Sequence, residues 1–347
     1  MVSSFYKGWL VAFLLSALLI FAAAPGISYA KPAASSLPLC QGADVIAELK
    51  RDNSPLYQQI ETMAAAEVND GAIFWRVTST AGKVSHLYGT FHSTDPQVTS
   101  LDVAVEAAMN DAETIAVEVA NLAPAEVQGF IKKRPELFFA IKTPKLNTLL
   151  SPPDFQTVSN LAVANGMTSG MVPLLKPWFA NISLFAMPAC EVARVSGGLE
   201  VLDNRIAARA KAPGKRLVGL ETLSDQYSAF AKLDLKHQVT LLEDGIENHE
   251  RLADYYMTSL RLYKERKLGY LLPLSLVMGR DRAKTKAALD EFKTHLIDNR
   301  NLRMFEAARP LVEDGRAFIA VGALHLTGNT GLVAQFKAAG YKVEKVL

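Results

Sequence analysis

Two histidines of this chain share one local form, Gly-x-x-His, at Gly89 to His92 and at Gly322 to His325. Each glycine closes a short apolar run. Glycine permits a sharp turn and a close backbone approach, so each imidazole should be presented just past the end of a strand. Two acids stand at comparable places: Glu118 follows Thr114-Ile115-Ala116-Val117, and Glu221 follows Arg216 to Leu220. Imidazole and carboxylate together suit zinc, manganese, cobalt or iron. A carboxylate left over could serve as general base on a metal-bound water. The expectation is a divalent metal (Mn, Co or Zn) held by His92, His325, Glu118 and Glu221. Each residue also has an ordinary reading. A loop histidine can simply bond to backbone, and a carboxylate is favoured at a helix start by the macrodipole.

Arg300 adds a separate signal. Leu289, Phe292, Leu296 and Met304 fall on one side of a helix at about 100° per residue, and Arg300 lies near the centre of that stripe. A guanidinium there must be paired or must snorkel. Glu118 or Glu221 is a candidate partner, and a substrate anion or a developing oxyanion is another. A structural salt bridge reads equally well. The other histidines look ordinary: His86 lies inside a strand, and His237, His249 and His295 lie among charged residues of helices.

The elements that must position these groups follow from periodicity and turn residues. Ala43 to Glu67 reads as helical. Ile73 to Val77 and Val84 to Tyr88 form a hairpin around Ala81-Gly82-Lys83. A helix over about Ser100 to Asp111 leads to the buried strand at Thr114 to Val117. A helical stretch at about 124–212, broken by prolines and by Gly197-Gly198, reads as an insertion. The strand at Arg216 to Leu220 is followed by amphipathic helices to about Arg309, a strand at Ala317 to Val321, a helix at Gly331 to Ala339 and a last strand at Tyr341 to Val346. This is an α/β chain: a largely parallel sheet with an N-terminal hairpin, helices on its faces and a large helical insertion. Strands from both ends should share the sheet, so residues 31–347 read as one domain. In open α/β sheets ligands bind outside the carboxyl ends of the strands, which would gather His92, Glu118, Glu221 and His325.

The first thirty residues read as a signal peptide. Lys7 supplies the charge, Trp9 to Ala24 the apolar run, and Ser28-Tyr29-Ala30 the small-x-small cleavage site, with cleavage after Ala30. An uncleaved anchor is the alternative, though the run is short for a span of roughly 20 residues. Leu37-Pro38-Leu39 before Cys40 does not make a lipobox. Export to a periplasmic or secreted location, with no membrane span after cleavage, is the expectation. The only cysteines, Cys40 and Cys190, both lie in the exported portion, and an oxidising compartment favours a disulfide between them. A net charge of +2 implies no broad basic surface for nucleic acid. No P-loop, Gly-x-Gly-x-x-Gly, Gly-x-Ser-x-Gly or His-Glu-x-x-His is present, which removes the commonest nucleotide, serine-hydrolase and zincin readings.

Several of these segments, in order, resemble the motifs of one family. Leu87 to Pro96, Val117-Glu118-Val119, Val218 to Thr222 with Gln226, Asn299-Arg300-Asn301 with Met304, and Phe318 to His325 with Gly328, Gly331 and Gly340 to Val343 are similar to the TraB/PrgY/GumN motifs. Asn299 stands where an acidic residue is common. The resemblance implies a metal-dependent hydrolase, a peptidase among the candidates, working through both Gly-x-x-His motifs. His92 and His325 would be catalytic or metal-associated, and Glu118, Glu221 and Arg300 would be further site residues. The substrate would be a peptide or another small molecule. The fold is also likened to haem-binding lipoproteins, so a non-catalytic protein that binds haem, a small ligand or a peptide is the alternative.

Overall fold

The computed structural model describes residues 37–211 and 214–347. Residues 1–30, expected to be a signal peptide, lie outside the described residues. Among the described residues no helix is long and apolar enough to cross a membrane.

Six strands form one sheet: β1 (Phe74–Thr78), β2 (Val84–Thr90), β3 (Thr114–Val117), β4 (Arg216–Gly219), β5 (Ala317–Gly322) and β6 (Lys342–Lys345), in the order β4-β3-β5-β2-β1-β6. The pairs β4–β3, β3–β5 and β5–β2 are parallel. Hairpin partner β1 runs antiparallel between β2 and β6. The expected architecture, a largely parallel sheet led by a hairpin and joined by strands from both chain ends, is what forms.

Side chains alternate across the sheet, as period-two geometry requires. Phe74, Tyr88, Phe318 and Ala320 enter the larger core on one face. Trp75, Leu87, Ile319 and Val321 enter a second core on the other, packed with Met304, Ala308 and Phe336 from the helices Asn299–Asp314 and Leu332–Ala338. Burial on both faces explains why β3 and β5 read as unbroken apolar runs.

Most boundaries shift by a residue or a few, and two differences have a physical reason. The helix expected over Ala43 to Glu67 is two, Val45–Arg51 and Pro55–Ala64, because Pro55 takes the first turn of a new helix that Ser54 caps. Strand β2 does not end at Tyr88. It stays paired with β5 through Gly89↔Val321 and Thr90↔Gly322, so Gly89 lies inside the ladder. Its role there is room. A Cβ on Gly89 would sit 3.0 Å from the Ala323 Cα and 3.0 Å from Leu326 Cδ1, so the first Gly-x-x-His leaves space for the turn of the second.

Helices at 124–209 connect β3 to β4, and helices at 223–314 connect β4 to β5. Cys40 and Cys190 are joined, with their Cα atoms 5.4 Å apart, which ties the segment before Val45 to the helix Ala189–Ser196.

Candidate functional site

The carboxyl ends of the four parallel strands lie along one sheet edge. In the order β4, β3, β5, β2 they carry Glu221, Glu118, His325 and His92. Residues from opposite ends of the chain thereby become neighbours, at the spacing of about 4.8 Å between adjacent strands.

Arg300 organises the acidic half. Its helix follows a π-helical stretch, Lys293–Asp298, a wide turn of the kind that changes which residues face inward. Both Arg300 and its neighbour Asn301 are fully buried, at 0% exposure. Arg300 donates from Nε to both Glu221 oxygens at 3.0 and 3.1 Å, from Nη2 to Glu118 Oε2 at 2.6 Å and to Glu221, and from Nη1 to the Leu296 carbonyl at 3.1 Å. Glu118 also accepts from the Gly322 N–H at 2.7 Å. Burial works against a charge on Glu118, but Arg300, the two imidazoles and the Gly322 N–H outweigh it and hold the carboxyl down at about 2. Glu221 goes the other way: burial, helped by the Glu118 charge, raises it despite Arg300. One guanidinium compensates one buried carboxylate fully and the second only in part.

The histidines are anchored at the same atom by different partners. His325, buried in the short turn Ala323–His325, places Nδ1 2.6 Å from Asn301 Oδ1. The Asn301 amide nitrogen donates to the Thr330 carbonyl at 3.1 Å, so its oxygen faces the ring and His325 carries its proton on Nδ1. The bare Nε2 lies 3.7 Å from Glu118 Oε1. Burial and the Arg300 charge depress this imidazole to about 3, so it is neutral. His92, in contrast, donates from Nδ1 to Asp203 Oδ2 at 2.5 Å. Burial would lower it, but the Asp203 charge and hydrogen bond, with Glu118, raise it above its ordinary value.

Asp203 comes from the insertion. It lies in the first turn of the helix Leu202–Arg209, whose Leu202 N–H donates to the Ser93 carbonyl at 3.1 Å, and the positive end of the helix favours its charge. Thr90 donates to its second oxygen at 2.5 Å. The loop after His92 is gripped as well. Arg194 donates to the Thr94 hydroxyl at 2.8 Å and to its carbonyl at 3.1 Å, while buried Glu191 accepts from the Thr94 hydroxyl at 3.0 Å. Glu191 and Arg194 lie on the helix that the disulfide holds.

All five residues expected at the site, His92, Glu118, Glu221, Arg300 and His325, therefore gather at this edge, but unequally. Glu118 and His92 line a cleft of about 310 Å³ beside Asp203 and Gln226. Glu221 and Arg300 do not reach it. Their side chains are wholly buried and spent on each other, so Arg300 orients the acids and does not face a substrate. Among the described residues no group of three or more His, Cys, Asp or Glu side chains is arranged to hold a metal ion. As they stand, the four residues expected as ligands do not fit one: Arg300 occupies both Glu221 oxygens and one of Glu118, and the other Glu118 oxygen holds the Gly322 N–H.

Asp203 and Asn301, which set the two imidazoles, carry little signal in the sequence. Asp203 looks like any acid in a first helical turn. Asn301 adjoins Arg300, so its only mark is the Asn-Arg-Asn string.

A model of the TraB/PrgY/gumN family matches residues 73–345. No curated protein and no solved structure is matched by the chain. The matched stretch begins one residue before β1 and ends with the last residue of β6, so it takes in the whole sheet and every side chain at its edge, and the chain belongs to the TraB/PrgY/gumN family.

Proposed function

We propose that the chain is an exported hydrolase whose water is activated by the His92–Asp203 pair. One observation carries this reading: two imidazoles at one sheet edge are each fixed through Nδ1, one by a carboxylate and one by an amide. Two titratable groups driven apart by their surroundings mark an acid–base pair. His92 takes the proton of an attacking water at Nε2, and Asp203 stabilises the imidazolium that results. His325 stays neutral and offers its Nε2 lone pair to hold the water or the substrate, with the ionised Glu118 beside it. Arg300 and Glu221 keep Glu118 in place. The disulfide supports an exported working place.

A second reading retains a divalent metal, Mn, Co or Zn. Anchoring Nδ1 on a carboxylate or amide oxygen is also how metal-bearing imidazoles are oriented, and His92, His325 and Glu118 would hold the ion once Glu118 gave up a hydrogen bond.

Elemental analysis of purified mature protein, with hydrolysis of a peptide library and of p-nitrophenyl acetate, tests both. Turnover without bound metal, unaffected by chelator and lost in His92→Ala, supports the first. Turnover that follows metal content supports the second. Equal activity in wild type and His92→Ala sinks both and leaves a binding protein, for which haem titration is the next measurement.

A further inference from the structure

A second hollow, of about 230 Å³, shares no lining residue with the cleft of His92 and Glu118. It lies between the helix Leu223–Ala231, with its cap Lys232, and the run formed by the π-helical stretch Lys293–Asp298 and the helix Asn299–Asp314. Each wall carries three lining residues at four-residue spacing: Ser224, Ser228 and Lys232 on one, His295, Asn299 and Arg303 on the other. Residues four apart stack on one helix face, so each wall presents its three as a ridge. π-Helical turns are frequent at functional sites. All six side chains can donate a hydrogen bond. His295 Nε2 lies 3.8 Å from Glu291, and the other five side chains make no hydrogen bond or ion pair among the described residues. Asp225 is the one acid in the lining, and its Oδ2 is engaged by the Thr222 N–H and hydroxyl at 3.0 and 2.6 Å. Burial works against its charge, but those hydrogen bonds and the charges of Arg303 and Lys232 hold its carboxyl below the ordinary value. The two cations therefore approach the same point from opposite walls.

Two permanent cations against one acid leave the hollow positive, and Ser224, Ser228 and Asn299 add neutral donors. A carboxylate, with two oxygens and one charge, is less than this set can serve. A phosphate monoester offers three terminal oxygens and up to two charges. At about 230 Å³ the hollow is below the roughly 300 Å³ at which pockets for drug-sized ligands begin, a size that suits a headgroup. We infer that this groove is a second binding site, for a phosphate group either free or carried by a small molecule: Arg303 and Lys232 neutralise it, and Ser224, Ser228 and Asn299 donate to its oxygens. The site goes beyond the hydrolytic reading and does not depend on it.

The test is titration of the full mature chain with inorganic phosphate and, separately, with glycerol phosphate, at fixed pH and constant ionic strength. Binding is read by calorimetry and from the His295 imidazole resonances, which His295→Gln identifies. Wild type should bind phosphate saturably at millimolar concentration or below, and acetate about tenfold more weakly. Arg303→Gln and Lys232→Gln, both at exposed positions, should each weaken phosphate about tenfold. Arg282→Gln, at an exposed arginine outside the lining, should leave it unchanged. If Arg303→Gln does not fold, Lys232→Gln carries the comparison. Tighter binding of glycerol phosphate than of the free ion assigns the groove to a phosphate ester, and equal or weaker binding assigns it to inorganic phosphate. The inference is overturned if the shifts do not saturate or if acetate binds as well as phosphate. It is overturned equally if Arg282→Gln weakens phosphate as much as Arg303→Gln does, since screened attraction to any surface cation would then account for the binding.

Discussion

The two Gly-x-x-His turns have the same local sequence form, lie on adjacent parallel strands and hold their imidazoles through the same nitrogen, yet they give those imidazoles opposite character. At the end of β2, His92 meets a carboxylate from the helical insertion and keeps its proton more tightly than an ordinary histidine. At the end of β5, His325 meets an amide, is buried among Arg300 and hydrophobic groups, and is neutral down to about pH 3. The motif sets where an imidazole goes. The partner, which comes from another part of the chain, decides what it can do.

If the difference is functional, damage to the two turns should differ. The largest effect expected is on turnover at the His92 end. His92→Ala should cost on the order of 10²–10⁴ in kcat, and, because it also removes one partner of the largely buried His92–Asp203 pair, the loss is read on protein shown to be folded. Asp203→Asn should do comparable harm and also move the pH profile. The base must be deprotonated, so wild-type activity should rise with pH through an inflection above 6.5, and the variant should shift that inflection downward. A pH profile unchanged in Asp203→Asn would break the pairing.

The next effect belongs to the His325 end and is one of stability. Arg300→Leu leaves Glu118 and Glu221 buried side by side without their cation. Removing one partner of a buried ion pair costs about 3–5 kcal/mol, and chemical denaturation should show a loss of that size. A loss under 1 kcal/mol would mean that the acids protonate freely and that Arg300 does not hold Glu118.

Much of this asymmetry could not be read from the residues alone. The apolar runs of β3 and β5 give their strands to within a residue, because both are buried on two faces. His92, Glu118, Glu221 and His325 were legible because parallel strands end at one edge, and Arg300 because a charge in an apolar stripe must have a partner. Asp203 was not legible, because its meaning depends on how the insertion packs. A first-turn acid looks the same whether it faces solvent or a histidine. The metal set had the same weakness: strand-end position puts two imidazoles and two carboxylates together, but only coordinates show that Arg300 occupies most of the carboxylate oxygens. The glycine of the first motif looks, in sequence, like the end of a strand, whereas the ladder runs past it and the residue provides clearance.

That clearance couples the two turns and predicts a smaller effect. Gly89→Ala forces a Cβ against Ala323 backbone 3.0 Å away. Overpacking of this kind typically costs about 1–3 kcal/mol. Because the atom displaced belongs to the turn that carries His325, kcat should fall together with the melting temperature. A fall in melting temperature alone would mean that the turn yields without moving the imidazole.

The finest test concerns how stability depends on pH. His325 is depressed to about 3 when folded and has a value near 6.5 when unfolded, so between those limits the unfolded chain binds one proton more than the folded one. Stability should therefore fall as pH drops from 6.5 toward 3, by at most about 1.4 kcal/mol per unit from this group. His92 has the opposite sign: its folded value is raised, so its contribution is complete below 6.5 and is lost as pH climbs through the folded value. Asn301→Asp gives His325 a carboxylate like that of His92. It should raise the His325 value and flatten the acid limb of the stability curve, while imidazole NMR should show the His325 ring titrating at a higher pH than in wild type. If the acid limb keeps its slope and His325 still does not titrate, burial and Arg300, not the Asn301 amide, set its character, and the contrast between the turns lies in depth and not in partner.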